Sequence, residues 1–192
     1  MGRSVRKLIK ARDVLGLVAV AGEPEDRDRA NALIGIIEMA DTHPHLVREA
    51  RQEICEAISG SVKDPDPAIR ARSINLLSLL RDPAAPSIVV AALCDSDSRV
   101  RVAGLMAAFH LRPPGCLDDV IRLLADDDPH VRPLAAAALE RVGDPSSIGV
   151  LQEARSRERD EGVGRQMDDV IDILEGRRPP TPIVSFMEDP QA

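Results

Sequence analysis

The sequence predicts an all-α chain, a right-handed α-α superhelix (α-solenoid) of about five stacked helical hairpins. Three observations carry that prediction. One phrase is written three times at a fixed spacing of 31 residues: Asp66-Pro67-Ala68-Ile69-Arg70, Asp97-Ser98-Arg99-Val100-Arg101 and Asp128-Pro129-His130-Val131-Arg132. After each phrase, apolar residues recur at helical rather than strand spacing. Finally, the chain has no Trp or Tyr and only two Phe, so its core is built from Ala, Leu, Ile and Val, which suits closely packed helices and gives strands little support.

Taken in order, the chain is expected to form the solenoid over residues 1–176, beginning with a capping helix within residues 1–23. Over residues 3–20, Val5, Leu8, Ile9, Leu15 and Val18 keep helical spacing beside Arg3, Arg6, Lys7, Lys10 and Arg12. A terminal cap with one solvated face is the reading adopted, because terminal repeats are polar outside. The alternative is an amphipathic anchor for an anionic membrane or nucleic acid.

Residues 24–63 read as a disguised first repeat. Pro24-Glu25-Asp26-Arg27 aligns with Pro67-Ala68-Ile69-Arg70, which puts Ala30, Leu33, Ile34 and Ile37 on the apolar rows. A longer second helix is expected from about Pro44 to Val62. Repeats near 64–94, 95–125 and 126–158 follow. Each opens on an Asp whose side chain can accept from free backbone amides at a helix start. Pro67 and Pro129 then occupy the first helical position, where a missing N–H costs nothing.

The shorter second helices are expected over Pro83–Leu93, Pro114–Leu124 and Pro145–Arg155, with Asp82-Pro83 and Asp144-Pro145 as cap and first-turn proline. Two helices per 31 residues cannot bury both apolar stripes alone, so neighbouring units must stack. A last repeat over 159–176 puts Val163, Met167, Val170, Ile171 and Leu174 on the apolar rows, with Gly162 and Gly164 weakening its first turn. From 177 to 192, Arg177-Arg178-Pro179-Pro180-Thr181-Pro182 opens a flexible, proline-rich tail. Its apolar Ile183, Val184 and Phe186 suggest a docking peptide as the alternative.

Net charge is −7, with 22 Arg against 3 Lys, and an acidic balance argues against nucleic acid as partner. No membrane-length apolar run is present, so a membrane partner is not favoured either. Cys55, Cys94 and Cys116 are unclustered and odd in number, which points to small buried hydrophobes of a reducing, cytoplasmic setting. The Asp41, His43 and His45 group reads as a loop and helix start, because Pro44 falls at a helix start and no further ligand cluster lies nearby, whereas zinc needs three or four protein ligands with support behind them. His110 and His130 fall at opposite ends of successive motif helices, too far apart to share a metal. No cofactor, metal or catalytic constellation is expected.

From about residue 24 to 175 the pattern resembles HEAT-like repeats of the phycobilisome lyase type. The residues that carry the resemblance are the three Asp-to-Arg phrases and the Gly143-Asp144-Pro145 joint. The resemblance implies a HEAT/armadillo-like solenoid whose motif helices line the concave side. It further implies a ladder of Arg70, Arg101 and Arg132 with Asp66, Asp97 and Asp128, fitted less well by Arg27 and broken at Gly164. A phosphate-binding role is the alternative for these arginines. Two enzymatic relatives of such arrays are not matched: the chain has no His-Glu dipeptide of the kind that holds iron in deoxyhypusine hydroxylases. It also lacks Trp and Tyr of the kind alkylpurine glycosylases stack against a base.

The function expected is therefore a non-enzymatic scaffold or adaptor that presents a concave helical surface to a partner protein or peptide. A bilin lyase-like or chaperone-like subunit of a larger enzyme complex is the alternative. Positions two, three, six and ten after each motif Ile or Val are expected to face away from the shared core. They give Asp28, Arg29, Ala32 and Ile36 in the first unit and Arg165, Gln166, Asp169 and Ile173 in the last. The central stretch yields the candidate surface: Arg72, Asn75, Leu79, Arg99, Val102, Met106, His110, Leu134 and Arg141. An apolar centre with a polar rim suits a peptide or helix; the competing reading is that these side chains fill gaps between helices.

Overall fold

A computed structural model describes residues 4–23 and 27–182. Every regular element among them is helical, and the repeat architecture is of the armadillo/HEAT solenoid type. The chain divides into two compact units, one ending at Asp82 and the other beginning at Pro83.

The first unit holds α1 (Val5–Ala11), α2 (Val14–Gly22), α3 (Arg29–Thr42), α4 (Pro44–Glu49), α5 (Arg51–Ile58), a 3₁₀ turn (Ser59–Lys63) and α6 (Pro67–Leu79). Leu17, Leu33, Ile36, Ile54, Ile58, Leu76 and Leu77 are fully buried in it. The second unit holds α7 (Ala85–Ala92), α8 (Ser98–Leu111), α9 (Leu117–Arg122) continued by a 3₁₀ turn (Leu123–Ala125), α10 (Val131–Val142), α11 (Ser147–Arg157) and α12 (Glu161–Leu174). Its core joins Leu93, Leu105, Val120, Leu123, Val131, Leu139, Leu151 and Met167. Within it the motif helices α8, α10 and α12 lie side by side, while α7 packs on α8 and α11 on α12. The α7–α8 approach is close enough that a Cβ on Gly104 would sit 3.0 Å from Ala92 Cβ and 3.2 Å from Leu93 N, so a side chain there would press on the end of α7.

Where the structure departs from the expected register, local capping explains why. The helix expected over residues 3–20 is two helices, because Arg12 is left-handed (φ 57°) and the Asp13 side chain accepts from Gly16 N–H at 2.8 Å to start α2. Leu15 consequently points outward, 57% exposed. Pro24, Glu25 and Asp26, which anchored the alignment of the first repeat, lie outside the described residues.

The α3 register is also shifted. It is Arg29, not Arg27, that pairs with the acid ahead of the next motif, Asp64, at 2.6 Å, and Ala32 and Ile36, expected to face outward, are 0% exposed. Ile34 and Ile37 are only half-buried. The second helices start later than Asp-Pro pairs suggested: α7 begins at Ala85 and α11 at Ser147. In the latter case Asp144 spends its carboxylate on Ser146 N–H (2.8 Å), so Pro145 lies in a turn. At α12 the expectation for Met167, Val170 and Ile171 holds, all being buried. Its first turn is secured by Asp160, which accepts from Gly162 N–H (2.8 Å) and Val163 N–H (3.0 Å).

Among the described residues no helix is long and apolar enough to cross a membrane.

Candidate functional site

Each motif helix is aimed by the same polar device. Asp66 and Asp97 cap their own helices, accepting from Ala68 and Arg99 N–H at 2.8 and 3.0 Å, and Asp128 closes the turn just ahead of α10, accepting from His130 N–H at 2.9 Å. Two residues earlier, Asp64, Asp95 and Asp126 accept from the N–H of that Asp at 2.8, 2.9 and 2.9 Å, and Glu158 does the same for Asp160 at 2.9 Å.

This second acid is the one that pairs with arginine. Arg29 meets Asp64 at 2.6 Å, Arg101 meets Asp126 at 2.7 Å and Arg132 meets Glu158 at 2.8 Å. The ladder implied by the resemblance thus exists with different acids. The reason is that Asp66 and Asp97 are already spent on their own helix ends and Asp128 on Ser98 and His130 N–H, whereas the preceding acid sits in the loop and faces the arginine of the previous motif helix. Each arginine also braces its own loop: Arg70 Nη1 donates to Asp64 O (2.8 Å), Arg101 Nη1 to Asp95 O (2.9 Å) and Arg132 Nη1 to Asp126 O (3.0 Å).

The pairing shifts the proton affinities of its members. Burial pushes the Asp126 carboxyl up, but the hydrogen bonds from Arg101 and from Asp128 N–H outweigh it and hold the group below the usual carboxylate value. Arg132, followed by the Asp160 backbone, holds Glu158 low as well. Arg101 and Arg132 are raised in turn, chiefly by hydrogen bonding to these acids. With the arginines engaged in structure, they are not presented as a phosphate site.

The nine expected surface residues divide between the two units. In the first, Arg72, Asn75 and Leu79 are half-buried on α6, and Arg72 Nη1 donates to Ala68 O at 3.1 Å. In the second, Met106 is 46% exposed at the middle of α8. Val102 and His110 stand one turn to either side on the same helical row. His110 is exposed, with its ring edge-on to Phe109 at 5.2 Å. Arg99 is exposed and grips Asp97 through Nε (2.9 Å) and Nη2 (2.8 Å). Val102 and Leu134 are half-buried and pack against the core of their unit, so they serve partly as spacers between helices. Arg141 is turned largely inward: its side chain is 9% exposed, its guanidinium carbon lies 4.8 Å above the Phe109 ring, and it meets the Glu140 carboxylate at 3.5 Å.

A feature that periodicity did not reveal lies between α10 and α12. Gly176, left-handed at φ 76°, ends the last helix and turns the chain back. Arg177 then binds Asp172 through Nε (2.8 Å), and Arg178 pairs with Asp169. Beyond Pro179 and Pro180, Thr181 donates its N–H to Glu140 Oε1 (2.6 Å) and its hydroxyl to Glu140 Oε2 (2.8 Å). Residues 178–182 thereby line a cleft of about 400 Å³ together with Ala137, Glu140, Gln166, Asp169, Val170 and Ile173.

Magnitudes rank these contacts. The Arg178–Asp169 pair is half-exposed on both sides, and such pairs contribute about 0 to 1 kcal/mol. The Glu140 carboxylate is 6% exposed, and hydrogen bonds to a charged group contribute about 1.5 to 3 kcal/mol, so Glu140 dominates. The apolar residues of the tail, Ile183, Val184 and Phe186, lie outside the described residues.

Of the cysteines, Cys55 and Cys116 are buried as expected, but Cys94 is exposed, its thiol 3.2 Å from Asp119 Oδ1. Burial, aided by hydrogen bonding to Asp82, pushes the Cys55 thiol up to about 11. His43 caps α4 ahead of Pro44 and its ring Nδ1 lies 2.9 Å from Thr42 Oγ1. No group of three or more His, Cys, Asp or Glu that could hold a metal occurs among the described residues.

Comparison with known proteins agrees with the fold. The family model for HEAT repeats matches residues 88–166. Among solved structures, a designed armadillo repeat protein in complex with the peptide (KR)4 is 17% identical, with a TM-score of 0.69 over 88% of this chain and 85% of that one. An engineered protein is 18% identical, with a TM-score of 0.71 over 90% and 85%. The archaeal HEAT-like repeats protein from Thermococcus onnurineus NA1 is 15% identical, with a TM-score of 0.57 over 90% of this chain and 74% of its own. These likenesses show a HEAT-like repeat fold and no more. No curated protein matches the chain.

Proposed function

We propose that this chain is a non-enzymatic scaffold that binds a partner protein or peptide on the motif-helix face of its second unit. The observation that carries the reading is Met106, a large apolar side chain left 46% exposed in the middle of a motif helix whose other apolar residues are spent on the core. An unbranched thioether adapts to the shape of an apolar partner. Around it, the exposed Arg99 and His110 supply a polar rim and the half-buried Val102 and Leu134 supply an apolar floor, an arrangement suited to a side chain or short helix from another protein. The rigid frame beneath, held by the Arg101–Asp126 and Arg132–Glu158 pairs, allows such a surface to bind without reorganising, which lowers the entropy cost of association. That armadillo-type neighbours include one solved with a peptide is consistent with this reading. A reducing, cytoplasmic setting belongs to the same proposal.

Site-specific photo-crosslinking in cells of the native host tests it. A crosslinking amino acid at position 106 should capture one or a few discrete proteins, while the same group at Asp118, exposed on α9, should capture none of them. Equal capture from both positions would remove the assignment.

A further inference from the structure

We infer that the α10–α12 surface bordering this cleft is a recognition site for an extended arginine- and proline-rich segment of another protein, with a Thr or Ser in the frame Arg-Pro-Pro-Thr-Pro, and that the chain's own residues 178–182 lie on it in the absence of that partner. This inference rests on the scaffold reading above and gives its second unit a defined ligand chemistry.

The chemistry follows from what borders the cleft. Among residues 179–182, the three prolines have no backbone N–H, so Thr181 carries the only amide donor of that stretch. Glu140 takes that donor at 2.6 Å with one oxygen and the threonine hydroxyl at 2.8 Å with the other. A carboxylate that reads N–H and O–H of one residue selects a hydroxyl-bearing residue between prolines.

On α12, Asp169 takes the guanidinium of Arg178, and Asp172, three residues on, takes Arg177, so the helix offers acids to a basic lead-in. Between these two anchor points the floor is apolar: Val170 is buried, and Ala137 and Ile173 line the cleft. Such a floor accepts proline rings, and prolines restrain the segment to an extended form at little further entropy cost.

Arg141 holds the key acid in place. Its Nε lies 3.5 Å from Glu140 Oε1 with the guanidinium against Phe109, and its Nε and Nη2 have no hydrogen-bond partner. Glu140 is therefore backed by a fixed positive charge and directs its oxygens at the segment.

A tail tethered next to its own site acts at an effective concentration in the millimolar range, so an outside segment competes only when its affinity or its local concentration is higher. The same arrangement makes the hydroxyl of Thr181 a control point. A phosphate there would bring a dianion against the Glu140 carboxylate and expel the segment.

The test uses the full chain and a fluorescent peptide, Arg-Arg-Pro-Pro-Thr-Pro, with binding read by anisotropy. Arg178→Glu and Thr181→Pro, two exposed changes that leave α10 and α12 unaltered, should each release the tail and tighten peptide binding by about ten-fold or more over the unaltered chain. Asp169→Arg combined with Arg178→Glu should abolish that gain, and a phosphothreonine peptide should not bind. In the unaltered chain, the Thr181 amide should resist hydrogen exchange, and should lose that resistance in Arg178→Glu.

The inference fails if the released chains bind no peptide up to about 1 mM, or if Asp169→Arg leaves the gain unchanged. It also fails if protection of Thr181 fades on dilution, which would mean that two copies exchange tails. Loss of peptide binding with retained capture through position 106 would overturn this inference alone; loss of capture with retained peptide binding would overturn the Met106 reading alone.

Discussion

Arg101 reaches out of its own repeat and closes Nε and Nη2 on the two oxygens of Asp126, at 2.7 and 2.8 Å. The pair is nearly buried, with side chains 15% and 7% exposed, and Asp126 at the same time receives Asp128 N–H. One carboxylate thus fixes both the spacing between consecutive motif helices and the turn that starts the second.

Removing either partner leaves the other charge buried. Arg101→Met or Asp126→Ala is expected to cost about 3 kcal/mol in urea unfolding. Asp128→Ala removes only the bonds to Ser98 and to His130 N–H and should lower stability by much less. If Asp128→Ala proves as costly as Asp126→Ala, the ladder has been assigned to the wrong acid.

The same pairs set the response to acid. Asp126 and Glu158 are held below the usual carboxylate value in the folded chain. Such groups bind fewer protons folded than unfolded, so their contribution is fully present above the ordinary carboxylate value of about 4 and is lost as pH falls through the lower folded values. Thermal melts from pH 7 to pH 3 should stay level at first and then decline in acid, and Arg101→Met should flatten that decline. An unchanged acid limb in the variant would contradict the linkage.

The 31-residue phrase announced α6, α8 and α10, because a capping Asp and an apolar stripe are local signals. The shift in α3 was not legible, since Arg29 rather than Arg27 is identified only by its partner Asp64, 35 residues away. Periodicity likewise ranks positions by angle around a helix and says nothing of what a neighbouring segment covers. Arg141 was for this reason expected at the surface, although Phe109 and Glu140 enclose it. Glu140 escaped notice because its partner, Thr181, comes from a stretch without periodicity.

Core truncation separates the buried stripe from the exposed row. Leu139→Ala, at a fully buried position, should cost about 2 to 5 kcal/mol, and Leu76→Ala should fall in the same range. Effects below about 0.5 kcal/mol, as for surface sites, would show the helix faces to be misassigned.

Thiol labelling distinguishes the three cysteines. In the native protein at mildly alkaline pH, only the exposed Cys94 should react with an alkylating reagent, and slowly, because hydrogen bonding to Asp119 raises its thiol above the ordinary value. Cys55 and Cys116 should be labelled only after unfolding. Mass spectrometry of the labelled peptides checks the pattern, and early modification of Cys55 would contradict its burial.

The most direct test of the scaffold assignment is Met106→Glu, measured for both melting temperature and affinity toward the partner captured through position 106. An outward side chain contributes little to the core, so the melting temperature should move by no more than about 2 °C. A carboxylate buried against an apolar partner has no counter-charge, and affinity should fall by about 30-fold or more. A fall in melting temperature of about 8 °C or more, or a partner bound as tightly as before, would contradict the account.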